Sequence, residues 1–495
     1  MALFVTVPQT VHGVFAVENP PPAAITPTGN GNCYIVGQFP WGPSQTPYIA
    51  SGMSDFYNTF APRGFSRTGS GHLNVLRKGW PQLGAVRVLG SAAVTSFATL
   101  VSVAPANLLT VPAKWPGADA NSMTAAASAA DNGNSNFFNL TVTISGVSGT
   151  STEIYRNCNI SGVGVDVLPD TTNSILIGPC TKLLPGVLTT AVQAFGTGAN
   201  GSITATSYVG TPGGNDLGFA LLEADETVNH CFTDDPGNAI RSAVNAGGMA
   251  HVELMTDRVF YTNGPKAQTL ALAATDVANY RSPRVVYCDP WCYIYDDTTG
   301  AKTLVQSAPW AASVAAQLPA STSIAWKSSY VSALMAGVVD IEATRGSGRG
   351  TNTQQGITTL FKSKNGFVFE AGKVTTLTNG QTNLTRTRMG QYMARSLQQS
   401  FLGYVDIPNL PFFQQEIVNA ADAFLSGLKK AQNDNPAFNI HIVDYAILNI
   451  AQANSAASLA QGNFILPIQV QTSSSMERIT LSIQYGETVT VLRAA

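Results

Sequence analysis

Residues 33–60 read CYIVGQFPWGPSQTPYIASGMSDFYNTF, and how they are read decides the fold. Cys33 to Val36 is an uninterrupted apolar run of the kind found in strands buried on both faces. A turn rich in glycine and proline follows, then a short helix predicted to begin near Ser54. A second helical pattern, GHLNVLRKGW (71–80), leads into a strand, AVRVL (85–89). Strand and helix alternate, as in an α/β protein.

Upstream, residues 1–25 are interrupted by proline and read as extended. Val5 and Val7 alternate with Thr6 before Pro8, and ENPPPAAITPTGNGN (18–32) follows. Proline removes a ladder donor, so this segment suits an edge strand or an arm and not a central strand. Downstream, the character changes at about residue 91. From there to residue 211 the chain is rich in Ser, Thr, Gly and Asn, with short alternating runs such as FFNLTVTISG (137–146) and STEIYRNCNI (151–160). Turn signals recur every eight to twelve residues or so and no helical period survives, which predicts an all-β insertion. Alternation resumes at GGNDLGFALLEADETVNHCF (213–232), and RVVYCDPWCYIYDD (284–297) reads as two short strands broken at Pro290.

Residues 388–431 carry the strongest helical signal. Phe413, Ile417, Ala421, Phe424 and Leu428 make one stripe, with Gln414, Asn419, Asp422, Ser426 and Lys429 off it. That pattern predicts a core-facing helix, with Pro411 near its start and two lysines near its end. Three strands are predicted beyond it: FNIHI (438–442), PIQVQT (467–472) and ITLSIQY (479–485). The last two would form a hairpin across SSSMER (473–478). The chain then closes on GETVTVLRAA (486–495), a short strand with nothing after it to pair against. The fold class expected is a multidomain mixture of α/β and α+β.

Charged residues make up only 11% of the 495 and the net charge is −2. Such a surface has no long-range field for phosphates or acidic lipids, which argues against nucleic-acid and membrane-surface binding. It has little self-repulsion, which suits packing against copies of itself. The N-terminus shows no secretory signal, and no run of eighteen apolar residues predicts a membrane span. Synthesis and folding in the cytoplasm are expected. The six cysteines (Cys33, Cys158, Cys180, Cys231, Cys288, Cys292) are too sparse for a disulfide framework and read as buried thiols.

Candidate chemistry fails on residue type or spacing. In GFVFEAGKV (366–374), Gly366, Gly372 and Lys373 suggest a phosphate loop, but the motif needs glycine and a hydroxyl where Phe367 and Val374 stand. RGSGRG (345–350) could hold an anion on its amides, and reads better as a surface loop within TRGSGRGTNTQQG. Cys288 and Cys292, with His230 or Cys231 nearby, lack the second pair that a zinc site brings. His12, His72, His230, His251 and His441 occur singly. Asp289, Asp296 and Asp297 beside Trp291 could pair as carboxylates, but read as solvated turn residues. No catalytic residue, metal ligand or cofactor site is nominated, and the chain reads as no enzyme.

With these stretches in view, the chain resembles the tail sheath protein of contractile phage tails and related contractile injection particles. TPTGNGNCYIVGQFPWGPSQTPYIASGMSDFYNTF (26–60) is similar to the family's buried strand, glycine-proline turn and helix. HLNVLRKGWPQLGAVRVL (72–89) is similar to its next helix and strand, which carries an arginine, here Arg87. AKWPGADANSMTAAASA (113–129) resembles the opening of its inserted domain, and FNLTVTISGVSGTSTEIYRNCNIS (138–161) a hairpin bearing a glutamate, here Glu153. RTRMGQYMARSLQQSFLGYVDIPNLPFFQQEIVNAADAFLSGLKKAQ (386–432) is similar to the helical signature before its terminal sheet. ATRGSGRGTNTQQGI (343–357) stands where the family commonly has tryptophan-alanine-proline-alanine-asparagine.

The resemblance implies a mixed-sheet sheath core, an all-β inserted outer domain and a C-terminal domain completed by strands from neighbouring subunits. The implied boundaries are an N-terminal arm (1–25), a discontinuous middle domain (26–90 and 212–350), the outer insertion (91–211), an inner C-terminal domain (351–478) and an arm strand (479–495). Val5, Val7, Ile479, Leu481, Ile483, Val489 and Val491 are the implied subunit-interface residues. Implied partners are copies of the chain in hexameric rings stacked helically, a tail tube protein, a baseplate and a tail terminator, with no cofactor, no nucleic acid and no membrane insertion. The implied location is the virion tail, and the implied work is contraction that drives the tube through the host envelope. Phage tail, tailocin and other injection particles stay open. The rival reading is a β-rich adhesin or receptor-binding protein of a virus particle. A hydrolase comes third, with no nucleophile and base to nominate.

Overall fold

The computed structural model describes residues 31–65, 82–103, 106–146, 148–214, 216–266, 268–295, 300–327, 335–338, 346–364, 366–434 and 442–472, together with Ile25 and Gly29. The seven predicted interface residues, the helical pattern at 71–80 and the strand at 479–485 lie outside them. The described residues fall into two compact units, one within 31–388 and one within 389–472 together with Ile25 and Gly29.

The larger unit opens with β1 (Asn32–Gly37), helix α1 (Met53–Phe60) and β3 (Gln82–Arg87) in the order expected there, with a further strand, β2 (Pro47–Ala50), in the stretch read as a turn. Strands β4 (Phe97–Val101), β5 (Asn107–Pro112), β6 (Met123–Ala129), β7 (Phe137–Gly146), β8 (Gly149–Asn159), β9 (Thr181–Lys182) and β10 (Gln193–Ala194) follow. They build two antiparallel sheets, β10-β6-β7-β8 and β4-β5-β9. Their shared core includes Leu109, Val111, Leu140, Val142 and Ile144.

Helix α2 (Ala205–Val209), inside the stretch 91–211 expected to be all β, returns the chain to the main sheet. There β11 (His230–Thr233), α3 (Asn238–Met255), β12 (Val259–Asn263), α4 (Leu270–Val277) and β13 (Val285–Asp289) alternate. A three-stranded sheet follows from β14 (Cys292–Tyr295), β15 (Lys302–Val305) and β16 (Met335–Val338), with α5 (Ala308–Gln317) between the last two. Helix α6 (Gly346–Gln354), β17 (Ile357–Ser363) and β18 (Gly366–Phe369) complete the sheet.

The resulting eight-stranded order is β18-β17-β13-β12-β11-β1-β3-β2. Its six inner strands run parallel, and β18 and β2 are antiparallel edges. Side chains alternate between two cores, as the two-residue strand period requires. Cys33 and Ile35 of β1 face the layer of α1 and α5, while Tyr34 and Val36 face the layer of α3 and α4. Val286 and Cys288 of β13 repeat the first pattern, and Val285 and Tyr287 the second. Each such fully buried aliphatic contributes roughly 1.5–3 kcal/mol. Burial on both faces explains why these strands read as continuous apolar runs.

Two readings are corrected. Residues 346–354, taken as a loop, form α6. Their three glycines are poor helix formers, and tertiary contacts override them: buried Asn352 donates to Thr359 at 3.0 Å, and Arg349 stacks over Phe361 at 4.1 Å. Asp289, taken as a solvated turn carboxylate, is 1% exposed and accepts a 2.9 Å bond from Gln268. It ends a strand enclosed by helices on both faces.

Helix α7 (Leu384–Phe401) ends within the smaller unit, which continues as α8 (Pro411–Asp434), β19 (Asp444–Ile447), α9 (Ile450–Ala453), α10 (Ala456–Ala460) and β20 (Ile468–Gln471). The predicted helical region is thus two helices separated by residues 402–410. On α8, Ala421 and Leu428 are buried as the stripe predicts, joined by Ala420 and Leu425.

Candidate assembly interface

Strands β19 and β20 form an antiparallel pair in the register Asp444↔Gln471 to Ile447↔Ile468. Tyr445 and Ile447 on one strand, and Ile468 and Val470 on the other, are half-buried, alternating with exposed neighbours. The pair is fastened to α8: the Ile442 N–H donates to the Leu428 carbonyl at 3.3 Å, Lys429 pairs with Asp444 at 2.6 Å, and the Tyr445 hydroxyl donates to Asp422 at 2.8 Å. Asn454 fixes the other end. Its side-chain amide donates to the carbonyls of Ile450 (2.9 Å) and Ile465 (2.7 Å), and its oxygen accepts from the Ile465 N–H at 2.6 Å.

Among the described residues neither strand pairs with a third, so each carries an open edge. A two-stranded ribbon is marginal in water, and one or more added strands stabilise it. Val405, Ile407, Leu410 and Phe412 are exposed on the same unit. A cleft of about 400 Å³ lies there, lined by Phe401, Tyr404, Phe413, Ile417, Phe464 and Leu466 among others. The sequence placed a strand at 438–442, of which only Ile442 is described. It missed β19, because Asp444-Tyr445-Ala446-Ile447 is too short and mixed to signal a strand before its partner is known.

In the larger unit, the two residues singled out by resemblance are both anchors. Arg87, fully buried, donates to the carbonyls of Phe39 (2.8 Å), Gly42 (2.9 Å), Pro40 (3.3 Å) and Pro116 (2.8 Å). One guanidinium therefore ties the turn after β1 to the β-rich stretch. Burial pushes its pKa down to about 10, which leaves it charged at neutral pH. Glu153 accepts from the Ile175 N–H (2.7 Å), the Leu176 N–H (3.3 Å) and the hydroxyls of Ser174 (2.7 Å) and Tyr155 (2.5 Å). Trp41, which nothing in the pattern marked out, joins the β-rich core, stacking on Phe65 and donating to the Ile175 carbonyl at 3.0 Å.

In a doubly wound sheet the place to look for a ligand is the crevice where strand order reverses. Here that point lies between β1 and β11, and the protein's own side chains fill it. Asp234 accepts from the Gln38 N–H at 2.6 Å and the Tyr208 hydroxyl at 2.7 Å, and Gln306 donates to its carbonyl at 3.1 Å. A Cβ on Gly37 would stand 2.8 Å from the Asp234 carboxyl carbon. Burial pushes Asp234 up to about 7 against the pull of its two donors.

The remaining chemical candidates are also packed away. All six cysteines are buried free thiols, with burial raising Cys158 to about 11 and Cys180 and Cys231 to about 12, far from a reactive thiolate. His230 bonds the Tyr261 hydroxyl at 3.0 Å. His251 stacks on Phe219, and burial, reinforced by Arg258, lowers it to about 3. His12, His72, His441, Asp296 and Asp297 lie outside the described residues. Among the described residues no cluster of three metal-ligating side chains forms, and no helix is long and apolar enough to cross a membrane.

No protein-family model and no curated protein matches the chain by sequence. Solved structures match its fold. The sheath tail protein of Desulfitobacterium hafniense aligns with a TM-score of 0.61 at 14% identity, covering 85% of this chain and 90% of that one. The sheath complex of an extracellular contractile injection system, PVC, in its contracted state gives 0.55 at 11% identity, over 97% and 99%. The contracted helical sheath of the anti-feeding prophage gives 0.54 at 12% identity, over 96% and 99%. The chain has the fold of a contractile tail sheath protein.

Proposed function

We propose that this chain is a structural subunit of a contractile sheath, which polymerises as stacked hexameric rings around a tail tube and contracts to drive that tube through a host envelope. The observation that carries the proposal is the extent of the likeness in fold: nearly the whole chain aligns with nearly the whole of the PVC and anti-feeding prophage sheath chains. The work is mechanical, and the residues that matter are at interfaces. Copies of the chain, a tube protein, a baseplate and a tail terminator are the partners, in a virion or an extracellular particle.

In this reading β19 and β20 are the acceptor, and the terminal arms of neighbouring copies are the donors. Val5 and Val7 supply one arm; Ile479, Leu481, Ile483, Val489 and Val491 supply the other. Strand addition gives backbone hydrogen bonds for strength while linkers at residues 18–30 and near 486 swing between the two states. Four or five aliphatics on one arm contribute about 6–15 kcal/mol, at roughly 1.5–3 each. Association itself costs about 4–15 kcal/mol. One arm therefore joins two free subunits weakly, and several arms closing on a ring already in place hold firmly. The β-rich stretch 91–211 is assigned as the outer insertion, and residues 351–478 as the inner domain.

Deleting residues 479–495 tests the arm assignment. The truncated protein should keep the far-ultraviolet circular dichroism of a folded chain and form no tubes under the electron microscope. Tubes of normal length would overturn the donated-strand mechanism.

A further inference from the structure

The β-rich stretch leaves the main sheet after β3 and returns at α2, so two connections, 88–96 and 195–204, join it to the sheet. Two crossings side by side make a hinge by default, because the contact between such parts is usually too small to stop them moving. Here the crossings are tied to each other. The Gly90 N–H donates to the Asn200 carbonyl at 2.9 Å and the Ser202 N–H to the Ser91 carbonyl at 3.3 Å. Val94 and Ala199 exchange backbone bonds of 2.9 and 3.1 Å. The two backbones touch at Gly90, where a Cβ would run into Ser202.

Arg87 stands where this neck meets the sheet. Three of its acceptors, the carbonyls of Phe39, Pro40 and Gly42, bracket Trp41 in the turn after β1, and the fourth, Pro116, belongs to the β-rich stretch. A Cβ on Gly117 would lie 2.7 Å from Arg87 Nη2 and 3.0 Å from Asn200 Oδ1, so the returning connection reaches the same guanidinium. Asn200 Oδ1 also accepts from the Ala118 N–H at 2.9 Å. The bracketed Trp41 enters the core of the β-rich stretch with Phe65, beside Leu140 and Ile144. The segment that carries Phe65 is fastened as well: the Ser148 hydroxyl donates to the Phe65 carbonyl at 2.8 Å and accepts from the Gly64 N–H at 2.9 Å. Two aromatic side chains from outside 91–211 therefore complete its core.

We infer that the β-rich stretch does not swing on its two connections: it is locked to the main sheet as one rigid body, and Arg87 holds the lock by fixing the turn that carries Trp41. Both parts fall within one compact unit of the chain. Lysine cannot take over the role, because a single ammonium does not match the carbonyl directions that a planar guanidinium meets at once. Any rotation of the main sheet is then carried to the surface of the β-rich stretch without loss at the neck. The inference concerns one chain and stands apart from the sheath reading.

Pulsed electron–electron double resonance on the full chain tests it. The native thiols are buried, so spin labels go to introduced cysteines at exposed positions. L272C on α4 with I154C on β8 reads across the neck; L272C with N58C on α1 reads within the layers of the main sheet. The two distance distributions should be equally narrow. R87K should broaden the first about twofold and leave the second unchanged, which a general loosening of the fold would not do. A cross-neck distribution about twice as wide as the control in otherwise wild-type chain overturns the inference. So does an R87K chain, folded by circular dichroism, that keeps the wild-type width. If R87K does not fold, G90A, which wedges the connections apart at Ser202, is read in its place and on the same terms. No tubes are scored in this experiment, so its failure and that of the sheath reading are separate results.

Discussion

At the scale of single residues, several of the molecule's few charges lie inside. Arg87, Arg258 and Arg388 are all buried, and each donates to backbone carbonyls at a turn or a helix end; Arg388 bonds that of Ala315 in the last turn of α5 and those of Leu318 and Thr322 just after it. An arginine can do this because its planar donors satisfy several acceptors at once. Asp234 supplies the residue-scale prediction. Its ordinary value of 3.8 is raised by burial to about 7, so between those values the folded chain holds a proton that the unfolded chain has released. Stability is therefore greatest below about pH 4 from this group and falls as pH rises to about 7, by up to about 4 kcal/mol. In urea titrations across that range, D234N should remove this downward slope; an unchanged slope would contradict the assignment. Tyr208, Asp235 and Arg241 surround the carboxyl, and only Asp235 adds to the upward shift, with burial the larger cause.

At the scale of elements, legibility followed burial. Strands enclosed on both faces, such as β1 and β13, were readable as apolar runs because their environment is uniform. The stripe on α8 was readable because a helix has one buried side. β19 was not, since a four-residue strand gets its identity from its partner and from the side chains that fasten it. Asn454 is the clearest of these. Replacing it with alanine leaves the Ile465 N–H and carbonyl without their Asn454 partner, while the Ile450 carbonyl keeps the backbone N–H of residue 454, and the loss costs about 1–3 kcal/mol. In N454A, amide hydrogen exchange should quicken in β20 and leave the central strands β11 and β12 unchanged. Uniform acceleration across both units would show that Asn454 is not a local pin.

At the scale of the whole molecule, a net charge of −2 and 11% charged residues describe a surface that neither attracts polyions nor repels its own copies. The weak arms proposed above, on such a surface, predict nucleated growth. Purified chain should polymerise after a lag seen by light scattering, and sheared preformed polymer should abolish that lag, because an existing ring offers several acceptors at once. Growth without a lag at all concentrations would mean that a single pairwise contact suffices.

The sequence by itself determined the alternation of strand and helix, the β-rich middle and the apolar stripe of α8, because periodicity and turn chemistry are local properties of the chain. Only the tertiary structure decided that a glycine-rich stretch is helix α6, that Asp289 is buried, that the ligand crevice of the sheet is filled by Asp234 and its donors, and that β19 and β20 pair with no third strand among the described residues. Each of these depends on what residues distant in sequence bring alongside, and no local pattern carries that information.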